Sequence, residues 1–211
     1  MRKHLFITLE GPEGSGKTTH AKLLKNYLVE AGYSVVHTRE PGGNPVAEAI
    51  RHILLSPDNR VHPMTELLLY EAARNQHTQD VIIPALGADR VVICERYTDA
   101  TVAYQGYGRG IDLEIVASLN RIATDGIKPD LTIYLDIDAD EGLAKARRKD
   151  DFVDGDRMEK ESVVFHRKVR QGYLKSARSE SRRIKVIPVQ PDINSTHRRI
   201  LSEVLKVLKA K

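Results

Sequence analysis

Short apolar runs alternate along this chain with longer stretches whose apolar residues recur every three or four positions, and that alternation predicts the fold before any motif is read. Runs rich in Val, Ile, Leu and Tyr at about residues 4–10, 34–39, 90–95, 130–137 and 184–189 predict five β-strands. Helical spacing occupies residues 17–31, closed by Gly32, and then 44–55, 64–87, 112–124, 139–148, 159–178 and 194–210. Parallel strands need crossovers long enough to hold a helix, so strands separated by helices imply a mainly parallel five-stranded sheet. Such a sheet is covered on both faces, a three-layer α/β architecture, and gathers ligands at the C-terminal ends of its strands. No Pro/Ser-rich linker, repeat or low-complexity run interrupts the pattern, so residues 1–211 read as one domain.

The unusual residues fall where that architecture expects chemistry. Directly after the first strand come Gly11-Pro12-Glu13-Gly14-Ser15-Gly16-Lys17-Thr18, followed by Thr19. The glycines let backbone N–H groups turn inward around an anion, Lys17 adds a point charge, and the Thr18 hydroxyl is placed for Mg²⁺. After the third strand come Glu95-Arg96-Tyr97. A carboxylate there suits Mg²⁺, and an arginine beside it suits a second phosphate. Asp136 and Asp138, closing the fourth strand, compete for the metal-linked role, although Asp138 reads equally well as the cap of the next helix. Glu66, Tyr70 and Arg74 lie four apart and share one helix face. That face suits either a nucleobase, stacked on the ring and bonded by the guanidinium, or an ordinary amphipathic helix with Arg74 in water.

Composition narrows the class. With 41% hydrophobic residues in 211, the chain can bury a sizeable core. The apolar run Leu5–Leu9 is too short for a signal peptide or a membrane span, which points to a cytoplasmic protein with no membrane partner. A lone cysteine, Cys94, sits inside Val91-Val92-Ile93 and reads as a buried strand position. Net charge is +4, from 33 basic and 29 acidic residues, but the charges are scattered. Phosphorylated small substrates fit that distribution better than nucleic acid does.

Taken in order, Glu10–Thr19, Thr38-Arg39-Glu40-Pro41-Gly42-Gly43, Leu68–Arg74, Glu95-Arg96-Tyr97, Ala103–Gly110 and Asp156-Arg157-Met158-Glu159 make the chain resemble the thymidylate kinases over nearly its whole length. The resemblance implies a P-loop NTPase fold and transfer of the γ-phosphoryl of ATP to dTMP, with Mg²⁺ as cofactor and a homodimer as the assembly. It implies ATP on Gly11, Pro12, Glu13, Gly14, Ser15, Gly16, Lys17, Thr18 and Thr19. It implies the 3′-hydroxyl of dTMP at Glu13, its phosphate at Arg51 and Arg96, thymine stacked on Tyr70, and Arg74, Thr101 and Gln105 at the polar edge of the base. Metal would be held by Thr18 and Glu95. Arg51 reads from its own surroundings equally well as a solvated helix residue, and Thr101 as a helix cap. Tyr104 and Tyr107 are placed to crowd the 2′ position of the sugar.

Three positions depart from the family's commoner pattern: Glu95 stands where Asp is usual, Tyr70 where Phe is usual, and Gly14 where some members carry a catalytic arginine. The cation facing the transferring phosphoryl is therefore expected from a short lid at about residues 147–157, with Arg147 and Arg157 the candidates. Adenine is expected near Val189-Gln190-Pro191-Asp192, and the helices near residues 44–80 are expected to supply the dimer interface.

Overall fold

The computed structural model describes residues 4–147 and 155–210, the side chains of Arg147 and Ala210 excepted. Five parallel strands, β1 (Leu5–Glu10), β2 (Val35–Arg39), β3 (Val91–Glu95), β4 (Leu131–Asp136) and β5 (Ile184–Pro188), form one sheet in the order β2-β3-β1-β4-β5. Each lies within one residue of its apolar run. β1 and β3 are buried throughout, as strands covered on both faces must be, whereas the edge strands β2 and β5 are only partly buried.

Alternation along β1 divides the core. Leu5, Ile7 and Leu9 pack with Ala21, Leu24 and Leu28 of α1 (Lys17–Glu30) and with Ile200 and Val204 of α9 (Ile193–Ala210). Phe6 points to the other face, among Ile82, Val92, Cys94 and Tyr97. Beyond it, Thr8 meets Thr132 across the sheet at 2.7 Å, and Glu10 lies at the mouth of the site. As expected, α1 stops at Gly32, whose φ of 86° lets Tyr33 N–H return to the Leu28 carbonyl at 2.9 Å.

The remaining helices are α2 (Pro45–Leu55), α3 (Pro63–His77), α4 (Ile83–Gly87), α5 (Thr98–Thr101), α6 (Leu113–Ala123), α7 (Ala139–Arg147) and α8 (Val163–Ser179). Where one helix was expected over 64–87, α3 widens into a π-turn at Thr78–Ile82 before α4. Pro84 has no N–H to continue the i→i−4 ladder, which accounts for the break. A second π-segment, Val102–Gly108, follows α5 and was missed by the helical pattern. It is shaped by packing. A Cβ on Gly108 would stand 2.7 Å from the Phe165 ring, and one on Gly172 of α8 would stand 2.7 Å from Tyr107. Tyr107 is therefore turned against α8, under the Lys175 ammonium, rather than toward a sugar. The helix expected from residue 159 starts at Val163 behind a Ser162 cap, while Asp156 accepts from Met158 and Glu159 N–H in a separate turn. No helix among the described residues is long and apolar enough to cross a membrane.

Candidate active site

The loop between β1 and α1 follows the central strand, between neighbours whose connections run to opposite sides of the sheet, the crevice where such sheets take ligands. Gly11, Gly14 and Gly16 have φ of 150°, 70° and 87°, which side chains other than glycine adopt only with strain. Lys17, the first residue of α1, donates to the Gly11 and Pro12 carbonyls at 3.0 and 2.9 Å. Burial, followed by the nearby Arg96, lowers the Lys17 pKa to about 8.

Thr18 donates to Glu95 Oε2 at 2.6 Å, and His37 of β2 holds Oε1 at 3.0 Å. Burial pushes the Glu95 carboxyl up, but the bonds from His37 and Thr18 outweigh it and the pKa falls below the usual value. A hydroxyl and an ionised carboxylate at a helix start form an oxygen donor set that fits Mg²⁺. The competing acids are engaged elsewhere. Arg170 bonds both oxygens of Asp136, at 2.8 and 3.1 Å, and reaches Asp138 at 3.2 Å, while Asp138 also opens α7 as a cap.

Gly14 has a tertiary reason. A Cβ there would stand 2.1 Å from the Gly142 carbonyl of α7, and one on Gly142 would stand 2.6 Å from the Glu13 carbonyl. Loop and helix meet backbone to backbone, and no arginine fits between them.

Beside the loop opens a cavity of about 100 Å³. Its walls include Glu13, Arg51, Tyr70, Arg74, Arg96, Thr101, Tyr104 and Gln105, so the sequence candidates for the second substrate come together. Arg96 adopts φ 65°, a left-handed conformation costing on the order of 1–3 kcal/mol, which turns its guanidinium to the Glu13 carboxylate and to Tyr104 OH at 3.1 Å. Arg51 donates to the Pro41 carbonyl at 3.0 Å and lines the cavity rather than lying in water. Tyr104 lines it too, with burial holding its phenol neutral.

Arg74 is 2% exposed, which excludes the solvated reading of its helix. Its guanidinium donates to Glu40 at 2.8 Å, Glu71 at 2.7 Å, Thr101 at 2.5 Å, Asn120 at 2.8 Å and the Tyr97 carbonyl at 3.0 Å. Glu40 also accepts from His77, whose other nitrogen meets Thr38 at 2.7 Å. Glu40, His77 and Cys94 lie close enough together to suggest a metal cluster, but these bonds engage the carboxylate and the imidazole, and burial pushes the Cys94 thiol well up.

The Arg157 guanidinium donates to Glu66 at 2.6 Å and to the Leu54 carbonyl at 2.7 Å. The Arg147 side chain and residues 148–154 of the expected lid lie outside the described residues.

Sequence reasoning assigned no role to Glu10, which accepts from Tyr97 N–H and Tyr173 OH, both at 2.7 Å. Burial, with Asp99 adding to it, pushes its pKa up to about 7. An acid at the end of an otherwise apolar strand was the available signal. His37, Asn120 and Tyr173 were missed as well, because their partners are distant in sequence.

A glycine loop with its lysine and a hydroxyl–carboxylate pair beside it, opening onto an arginine-walled cavity, defines a P-loop phosphotransferase. The thymidylate kinase family model matches residues 9–200. The chain is 52% identical over 204 residues to a thymidylate kinase of Geotalea uraniireducens, covering 95% of this chain and 96% of the relative. It is 51% identical to that of Syntrophotalea carbinolica, covering 92% of each. The crystal structure of thymidylate kinase from Ehrlichia chaffeensis superposes with a TM-score of 0.78 at 34% identity, covering 95% of this chain and 98% of that one. The chain belongs to the thymidylate kinase family.

Proposed function

We propose that the two halves of this site hold the two substrates of one in-line transfer, with the Glu13–Arg96 pair at their junction. The reaction is that of the family: the γ-phosphoryl of ATP passes to dTMP, giving dTDP and ADP in nucleotide biosynthesis. One observation carries the division. Glu13 belongs to the phosphate loop, yet its carboxylate pairs with Arg96, a wall of the cavity, so the loop and the cavity open onto each other.

Gly11 to Thr19 cradle the phosphates of ATP through backbone N–H groups and the α1 N-terminus, and Lys17 neutralises their terminal charge. Thr18 and Glu95 hold Mg²⁺, which when bound neutralises phosphate oxygens. In the cavity Tyr70 stacks on thymine, and Arg74, Thr101 and Gln105 address its polar edge. Arg96 and Arg51 take the 5′-phosphate, and Glu13 turns to the 3′-hydroxyl as Arg96 is drawn to the anion. The acceptor phosphate is already anionic, so catalysis is positioning and charge neutralisation. The remaining cation comes from the lid at residues 147–157, within the single kinase domain formed by residues 1–211, and Arg147 is its source. α7, which ends at Arg147, packs directly on the loop at Gly14. Adenine rests near residues 189–192.

The working form is a cytoplasmic homodimer. Val46 and Ile53 of α2, Met64 and Leu68 of α3, and Leu113, Ile115 and Ile122 of α6 are large apolar side chains left exposed on three adjoining helices. Sedimentation is expected at twice the 23.7 kDa chain mass, and sedimentation at the single-chain mass would overturn this assembly. ADP release measured with dTMP, dUMP, AMP and CMP, with and without Mg²⁺, tests the substrate assignment. Turnover that prefers another acceptor or survives chelation overturns it.

A further inference from the structure

Glu66 has no place in the division of roles above, yet it is 0% exposed and carries four bonds. Its Oε1 accepts from Gln105 Nε2 at 2.8 Å and Arg109 Nε at 3.0 Å. Its Oε2 accepts from Arg109 at 2.9 Å and Arg157 at 2.6 Å. Glu161 balances the second positive charge, bonding Arg109 at 2.6 Å. Burial raises the Glu66 pKa, but the bonds from Arg109 and Gln105 overcome it, and the group stays an ionised carboxylate.

An ionised carboxylate only accepts, so Gln105 can present only its NH₂ group to it. The amide is planar, and turning its nitrogen toward Glu66 leaves Oε1 as the polar end available to the cavity that Gln105 lines. No described residue donates to that oxygen.

We infer that Glu66 is a positioning residue for base selection: it locks the Gln105 amide so that the cavity presents an acceptor, and the ring edge facing it must carry an N–H. Thymine carries one at N3. Cytosine carries a lone pair there and meets two unpaired acceptors, the arrangement that binding sites reject most strongly. The inference rests on the placement of the base proposed above. Arg109 acts at one remove, clamping the carboxylate while its guanidinium stacks 4.6 Å over the Phe165 ring.

The test compares kcat/KM for dTMP and dCMP in the wild type and in Glu66→Gln. The amide introduced by that substitution can keep its carbonyl toward Arg157 and the Arg109 Nη2 and turn its NH₂ to Gln105, giving up the bond from Arg109 Nε, which lets the Gln105 amide turn over. The dTMP:dCMP ratio is expected to fall at least about tenfold. Equal loss for both acceptors in a folded variant, as a purely structural role predicts, overturns the inference. In a Gln105→Met background the same substitution is expected to leave the ratio unchanged, and a further fall there also overturns it. Should Glu66→Gln not fold, the wild-type Gln105 NH₂ resonance, assigned by its loss in Gln105→Met, decides. Protection from hydrogen exchange supports the lock, and free exchange with solvent overturns it. Failure of the base placement itself is recognised separately, because Tyr70→Ala and Gln105→Met would then leave KM for dTMP unchanged.

Discussion

The phosphate loop and the neighbouring cavity lie side by side but are built in opposite ways. The loop uses consecutive residues, and it presents backbone N–H groups turned by three glycines at positive φ and by the start of one helix. The cavity uses side chains from the loop, α2, α3, the β3 end, the π-segment and the turn at Asp156, held by buried ion networks around Arg74 and Glu66. A site made of backbone tolerates loss of a side chain without losing its shape. A site made of paired buried charges does not, since removing one partner strands the other in a low-dielectric interior.

Lys17→Ala gives the sharpest separation. It removes a charge from the reacting phosphates and leaves the glycine turns in place, so kcat is expected to fall at least about 10³-fold, roughly 4 kcal/mol of barrier. The thermal midpoint should move by only a few degrees. A large melt shift with preserved turnover would break the comparison from the loop side.

Arg74→Ala is the counterpart. It unpairs Glu40 and Glu71 inside the fold, costing about 3–5 kcal/mol of stability while KM for dTMP rises and ATP affinity is kept in the folded fraction. Denaturant unfolding beside nucleotide titrations reads both quantities. Unchanged stability would show that the cavity wall does not depend on this network.

Glu10 tests the boundary between the regions through pH. Its folded pKa near 7 lies above the ordinary 4.5, so between those values the folded chain keeps a proton that the unfolded chain has lost. The stabilising contribution is complete below about pH 4.5 and is lost as pH rises through 7. Glu10→Gln keeps an amide in place of the protonated acid and is expected to flatten that decline by about 3 kcal/mol, measured as unfolding free energy from about pH 4 to 8. A parallel pH profile in the variant would show that Glu10 titrates normally.

The smallest required effect sharpens the contrast within the lid. Arg147→Ala should lower kcat by at least about tenfold, ~1.4 kcal/mol, with KM for dTMP held, as for a group acting mainly in the transition state. Arg157→Ala, which removes a brace on Glu66, should instead lower the melting temperature and raise KM. The reverse pattern would put Arg157 at the phosphoryl and make Arg147 peripheral.

Regular structure was legible wherever the pattern was local. Five apolar runs became five parallel strands, Gly32 ended its helix, and the loop glycines took the conformations their spacing required. The pattern failed over Thr98–Gly108, because a four-residue helix running into a π-segment has no 3.6-residue period and is held by the approach of Phe165 and Tyr107 across glycines.

By itself, therefore, the sequence determined the sheet, the phosphate loop and the family, since each is encoded in neighbouring residues whose geometry hardly depends on the rest of the chain. The tertiary structure alone decided which acid joins Thr18, because Glu95 and Asp136 both end strands and only packing puts Arg170 on one and Thr18 on the other. It paired Arg157 with Glu66 and set Gly14 against Gly142. It also gathered four bonds on Glu66 from positions 39 to 91 residues away. Ion pairs across such separations leave no periodic trace in a sequence, because their partners are chosen by the distances that folding creates.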